Sequence, residues 1–155
     1  MKKILFSIAL GTSILTSCGS DDNTTTPTTP TNPSKEQVTA KWKMVKGEVY
    51  QNGSLFYEEN LKGENCEYSY YDLKANGTKA EVFYDMEDEC DMDVTEGTWT
   101  YNQNKKQITL TDSDDGYTMV MEVVTLSATE AKFKVVKDGD DDIPTSTEIY
   151  VYLKK

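Results

Sequence analysis

Three cysteines and 27 acidic side chains carry most of the chemistry open to this 155-residue chain. Cys18 closes the tetrapeptide Leu15-Thr16-Ser17-Cys18 and offers a thiol for acylation. Cys66 and Cys90 remain as a pair. Their spacing excludes a C-x-x-C redox or metal motif. In an exported chain such a pair favours a disulfide, with two buried free thiols as the other reading. Carboxylates cluster at Asp112-Ser113-Asp114-Asp115-Gly116, and again in 85–89 and 138–142. Asp112, Asp114 and Asp115 have the spacing of a hard-cation loop and form a calcium candidate, although no bidentate Glu completes an EF-hand. Solvated hairpin turns have the same composition, and neither a metal nor a cofactor is expected.

What is missing bears on function as much. The chain has no His, the commonest general base and metal ligand. All its basic residues are Lys, so there is no guanidinium fork to grip carboxylate or phosphate. A non-enzymatic protein is expected. The formal charge of −11 argues against nucleic acid as a partner.

The N-terminus reads as an export signal: Lys2 and Lys3, an apolar run from Ile4 to Leu10, then small residues up to Cys18. Leu15–Cys18 resembles a bacterial lipobox, in which the Cys takes a diacylglycerol and becomes the first mature residue. Residues 1–17 are then a signal peptide, and the mature chain is held by lipid at Cys18. Residues 18–37 follow as a tether. Its Thr/Pro stretch from Thr24 to Pro33 has nothing to bury. An extended chain of this kind reaches up to roughly 50 Å. Ser20-Asp21-Asp22 resembles the acidic signal that sends Bacteroidetes lipoproteins to the outer face of the outer membrane; a generic polar linker is the alternative. An outer-membrane lipoprotein, exposed or periplasmic, is the expected location.

From Val38 to Lys155 the apolar pattern has period two, as expected of strands. Strand-like runs recur at 40–50, 66–73, 79–84, 95–101, 107–111, 117–126, 131–137 and 147–153, separated by turn signals such as Asn52-Gly53 and Asn76-Gly77. The expected fold is all-β, an eight-stranded antiparallel up-and-down barrel whose closure removes its edges. Leu55–Leu61 fits either a short strand or a lid-like loop.

Two hairpins can be paired on paper. A two-residue turn at Asn76-Gly77 sets Tyr71 against Val82, Leu73 against Ala80 and Ser69 against Tyr84. It leaves Tyr68, Tyr70 and Phe83 as an outward aromatic strip for a glycan or protein, unless Leu55–Leu61 covers it. A turn near Asn104-Lys105 sets Tyr101 against Ile108 and Trp99 against Leu110. The first register also puts Cys66 and Cys90 at the open end of one hairpin, where a disulfide stabilises by roughly 3 kcal/mol on the chain-entropy model.

The order Trp42-Lys43-Met44-Val45, Cys66, Leu73-Lys74-Ala75-Asn76-Gly77-Thr78, Cys90, Gly97-Thr98-Trp99-Thr100-Tyr101 and Ile108-Thr109-Leu110 resembles the lipocalin-like domain of Bacteroidetes lipoproteins. The resemblance implies a barrel over 38–155 with a pocket at one mouth. The chain differs from lipocalins proper in carrying Ala40 where they have Gly before the Trp, and in having no Arg to pack on that Trp. Candidate pocket residues are Trp42, Met44, Tyr71, Tyr84, Tyr101, Met119 and Met121, with Trp99 assigned to the core. Aromatic and Met residues at these positions equally suit plain core packing. The expected function is binding of a small apolar or amphipathic ligand by a membrane-anchored monomer. A filled barrel presenting a protein- or glycan-binding surface is the alternative. An inhibitor of hydrolases would rest on analogy with other small secreted barrels alone.

Overall fold

The computed structural model describes residues 32–61, 66–85 and 90–155. The signal segment, Cys18, most of the tether and residues 86–89 lie outside them. A four-residue helix α1 (Lys35–Val38) precedes ten strands: β1 (Ala40–Gln51), β2 (Ser54–Asn60), β3 (Tyr70–Leu73), β4 (Thr78–Tyr84), β5 (Met92–Asn102), β6 (Gln107–Asp112), β7 (Thr118–Leu126), β8 (Glu130–Asp138), β9 (Asp141–Asp142) and β10 (Thr147–Lys154). The order β10-β1-β3-β4-β5-β6-β7-β8, with β8 pairing back onto β10, closes an eight-stranded antiparallel barrel. The strand at 54–60 is β2, an outlying partner of β1 and not a lid.

The same dipeptide makes two different turns. At Asn52-Gly53 both residues have positive φ (51° and 78°), and Gln51 faces Ser54 across a two-residue loop, as the twist of a tight hairpin requires. At Asn76-Gly77 only Gly77 is left-handed, at φ 87°. The Gly77 N–H donates to Lys74 O and the Lys74 N–H to Thr78 O, each at 3.0 Å, so the loop has three residues. Tyr71 therefore faces Glu81, and Leu73 faces Lys79. This corrects the register expected from sequence by one residue. Such a slip turns a strand over: Lys79 and Glu81 point into the barrel and Ala80 and Val82 point out. Tyr70 shares its face with Val82, which leaves Phe83 on the other side and dissolves the expected Tyr68–Tyr70–Phe83 strip. The turn at 103–106 gives the expected pairs, Tyr101 with Ile108 and Trp99 with Leu110.

The end of the barrel at α1 is sealed. Val38, Trp42, Leu73, Trp99, Ile108, Leu110, Met121, Phe133 and Leu153 are each less than 2–3 % exposed. Trp42 Nε1 donates to Val38 O at 2.7 Å, and Trp99 Nε1 to Lys74 O at 2.8 Å. Lys155 lies 4.7 Å over the Trp42 ring, where lipocalins proper use Arg, and Lys35 lies 5.0 Å over Trp99. Asn32 and Gln103 exchange side-chain hydrogen bonds to each other's carbonyls, and the Gln37 side chain accepts the Ser34 N–H. Residues 32–37, read from composition as tether, thus belong to the folded unit. Cys66 and Cys90 form a disulfide with a Cα–Cα distance of 5.4 Å.

The seam where β1, β10 and β8 complete the circle is tied on its outer face by Glu48, which is 5 % exposed. Its carboxylate accepts from Lys46 Nζ (2.6 Å), Tyr152 OH (2.6 Å) and Tyr50 OH (3.2 Å). Burial works against the charge, but these donors outweigh it and hold the Glu48 pKa at about 2. The charged form is the favoured one in the fold. Stability from this group is complete above the ordinary carboxylate range and drains away as pH falls from 4.5 towards 2. Urea unfolding followed between pH 2 and 7 should show that loss, and Glu48→Gln should flatten it over the acid range.

Among the described glycines Gly97 has the least room: a Cβ there would collide with the Thr111 carbonyl oxygen. Gly97→Ala should cost at least about 2 kcal/mol in urea unfolding, because backbone and not a side chain must move.

Candidate functional site

The three-residue turn at the start of β4 places charge inside the barrel. Lys79 faces Gly97 on β5, and Gly97 faces Asp112 on β6. With no side chain on Gly97, the Lys79 stem passes over it and the ammonium reaches the Asp112 carboxylate. The Glu81 carboxylate accepts from the same ammonium at 3.1 Å. Exposure of the three side chains rises from 0 % at Lys79 through 8 % at Glu81 to 16 % at Asp112. The cluster therefore opens along β6 towards the end opposite α1.

Two carboxylates surround one ammonium, so the fully ionised cluster holds one excess negative charge. Burial pushes the Glu81 carboxyl above its ordinary range; Lys79 opposes the rise and Asp112 adds to it. Tyr71, opposite Glu81, is held protonated by burial and by the nearby carboxylates of Glu81 and Asp138. Met119, Ile143, Ile149 and Val151 are partly buried against the core, and Phe83, on the face of Glu81, is 43 % exposed. The site is a polar group set in an apolar barrel, with Asp112 as its most exposed member. It is suited to hold the donor or cationic end of an amphipathic molecule.

The pocket candidates chosen from sequence fall into three groups. Trp42, Met44, Tyr71 and Met121 belong to the buried core, together with Trp99, which was assigned there from sequence. Tyr101 and Met119 pack partly buried against it. The Tyr101 hydroxyl is buried with no hydrogen-bond partner among the described residues. Tyr84 shares the outward face of Val82 and lines a cleft of about 420 Å³ with Phe83, Asp85, Asp91, Met92 and Asp93. Asp112, Asp114 and Asp115 each bring one carboxylate oxygen within 4.8 Å of the others. Asp112 is already engaged by Lys79, and Asp114 and Asp115 accept the N–H groups of Asp115 and Tyr117. Lys79 and Glu81 were not singled out in the sequence. Their only signal is an i, i+2 charge pair in Thr78-Lys79-Ala80-Glu81-Val82, which reads as a solvated face until the loop length is known.

A closed up-and-down β-barrel with one sealed end and a polar group inside is the architecture of small binding barrels. The family model described as a lipocalin-like domain matches residues 38–133, and the chain belongs to that family. A lipocalin-like protein from Bacteroides uniformis superposes with a TM-score of 0.51 at 10 % identity, over 77 % of this chain and 98 % of its own. An uncharacterized protein from Bacteroides eggerthii matches with a TM-score of 0.48 at 12 % identity, over 76 % and 98 % of the two chains. A deswapped triple mutant of bovine odorant binding protein gives a TM-score of 0.38 at 16 % identity, over 77 % and 74 %. No curated protein matches.

Removing one partner of a buried ion cluster costs more than neutralising the excess charge. Lys79→Met should destabilise by about 3–5 kcal/mol. Glu81→Gln should be near neutral or stabilising at pH 7, since an acid whose folded pKa is raised weakens the fold as pH climbs through it. Parallel urea titrations of the two variants check the contrast.

Proposed function

We propose that the protein is a lipid-anchored, non-enzymatic binding protein of the bacterial cell envelope that takes a small amphipathic ligand at the mouth of its barrel. The observation that carries this reading is the Lys79–Glu81–Asp112 cluster, buried inside an apolar barrel and opening away from the sealed end. Desolvating three charges is costly and is weak evidence of a stabilising role. Glu81, whose carboxyl is pushed up by burial inside a barrel, is a functional-site candidate on the same ground. The apolar body of the ligand lies along Met119, Ile149 and Phe83, where burial supplies roughly 25 cal/mol per Å². Its polar end donates to Glu81 and Asp112 and matches their excess negative charge.

Anchoring rests on the sequence of residues 2–18. The folded unit begins at Asn32, beside Gln103 and at the α1 end. Residues 19–31 span at most roughly 40 Å.

A second reading, a surface module, has one observation in its favour: β2 exposes Leu55 (51 %), Phe56 (69 %) and Tyr57 (50 %) in succession. The experiment is native mass spectrometry of the full chain produced in an acylating bacterium, followed by calorimetry with dodecylamine, dodecanol and dodecanoate. The expected result is a mature N-terminus at Cys18 carrying acyl mass, tightest binding of dodecylamine, and a loss of about tenfold on Glu81→Gln. An unacylated product removes the anchor. Absence of binding by all three amphiphiles removes the mouth site and leaves the surface module.

A further inference from the structure

The outer wall formed by β1, β10 and β8 has a different character from the rest of the chain. A cleft of about 560 Å³ opens there, with Val45, Ala131 and Leu153 among its apolar lining and Tyr68 and Tyr152 among its rings. Three lysines, Lys46, Lys132 and Lys154, line it against a single acid, Glu130. The whole chain has 16 Lys to 27 acids, so the lining of this cleft is richer in Lys than the chain as a whole.

Further groups sharpen the contrast. Lys43 and Lys154 face each other directly across β1 and β10, although like charges in opposed positions destabilise a sheet. Lys46 and Lys132 stand 4.5 and 4.7 Å from the ring of Tyr152, and Lys132 also stands 3.9 Å from that of Tyr150. Two more acids stand by the cleft: Glu48 is engaged by Lys46 and the Tyr50 and Tyr152 hydroxyls and lies 3.9 Å from Lys132, and Glu58, half exposed, lies 3.2 Å from Lys46. The Lys154–Glu130 pair is 3.5 Å apart with both side chains more than half exposed, so solvent screens it. Ammonium groups thus converge on a cleft with an apolar and aromatic lining, and their counter-charges are buried beneath it or screened beside it.

We infer that this outer-wall cleft is a binding site for a small organic anion, a carboxylate or sulfonate carried on an apolar ring body. The ring lies against Val45, Tyr68 and Tyr152. The anionic group meets Lys132 and Lys154 at the edge, with Lys46 fixed beside them by Glu48. A volume of about 560 Å³ is that of a small-molecule cleft. The mouth site, with its excess negative charge, takes the opposite sign of ligand, so the two sites are separable by charge.

The test uses naphthalene-2-sulfonate and its uncharged analogue 2-naphthol, titrated by calorimetry into the mature protein in low and high salt. The sulfonate should bind at least about tenfold tighter than the alcohol, and the difference should shrink as salt rises. The double variant Lys132→Gln/Lys154→Gln should lose about tenfold for the sulfonate alone. Lys132→Arg/Lys154→Arg, which keeps the charge, should retain binding and controls for a disturbed seam. Glu81→Gln should leave sulfonate affinity unchanged. Equal affinity for the two probes would overturn the inference, as would indifference to the paired Gln substitutions. Sulfonate binding that rises on Glu81→Gln would assign the anion to the mouth and overturn it as well.

Discussion

The interior of this barrel depends on one ion contact: the Lys79 ammonium reaching across Gly97 to Asp112. It demands three things of three strands. β4 must present Lys79 inward, β5 must have no side chain at position 97, and β6 must end in a carboxylate. Substitution of Gly97 would press a Cβ on the Thr111 carbonyl. The contact also explains why a register that buries charge is tolerated. The turned-over strand would otherwise place an unpaired ammonium and a carboxylate in an apolar interior, at several kcal/mol each.

The barrel divides along its axis into a half that holds structure and a half that holds chemistry. At the α1 end, indole donors close on backbone carbonyls and lysines sit over both Trp rings. At the other end the exposed Phe83, the rim carboxylates and the charge cluster leave polar groups within reach of solvent. On the outer wall a buried Glu48 gathers lysines and tyrosines along the seam that closes the circle. The acidity of the chain is therefore uneven. Acids crowd the hairpin loops, whereas on the β1–β10–β8 wall lysines and glutamates stand in pairs.

Much of the architecture was legible in the residues. Period-two alternation located all eight barrel strands, and the Trp99/Leu110 and Tyr101/Ile108 pairs followed from one turn. The disulfide between Cys66 and Cys90 was expected of a cysteine pair in a chain read as exported, with both at one hairpin's open end. The register of β3 against β4 did not. Asn-Gly fits a two-residue loop at 52–53 and a three-residue loop at 75–77. The choice at the second is made by Trp99, whose N–H bonds Gly77 O and whose indole bonds Lys74 O. Those bonds come from a strand more than 20 residues away, so no local pattern contains them. The strip of Tyr68, Tyr70 and Phe83 was lost for the same reason, since its existence assumed the shorter loop.

The sequence by itself determined an all-β chain with eight inward-alternating segments, a lipobox-like cysteine and a body without imidazole or guanidinium chemistry, because these follow from residue type and spacing along a single strand. Only the tertiary structure decided what lies inside the wall and what lies on it. Which face of β4 turns inward is fixed by hydrogen bonds between strands. Whether a lysine is a solvated surface charge, the centre of a buried cluster or one of three around a cleft depends on which neighbours the closed barrel brings to it.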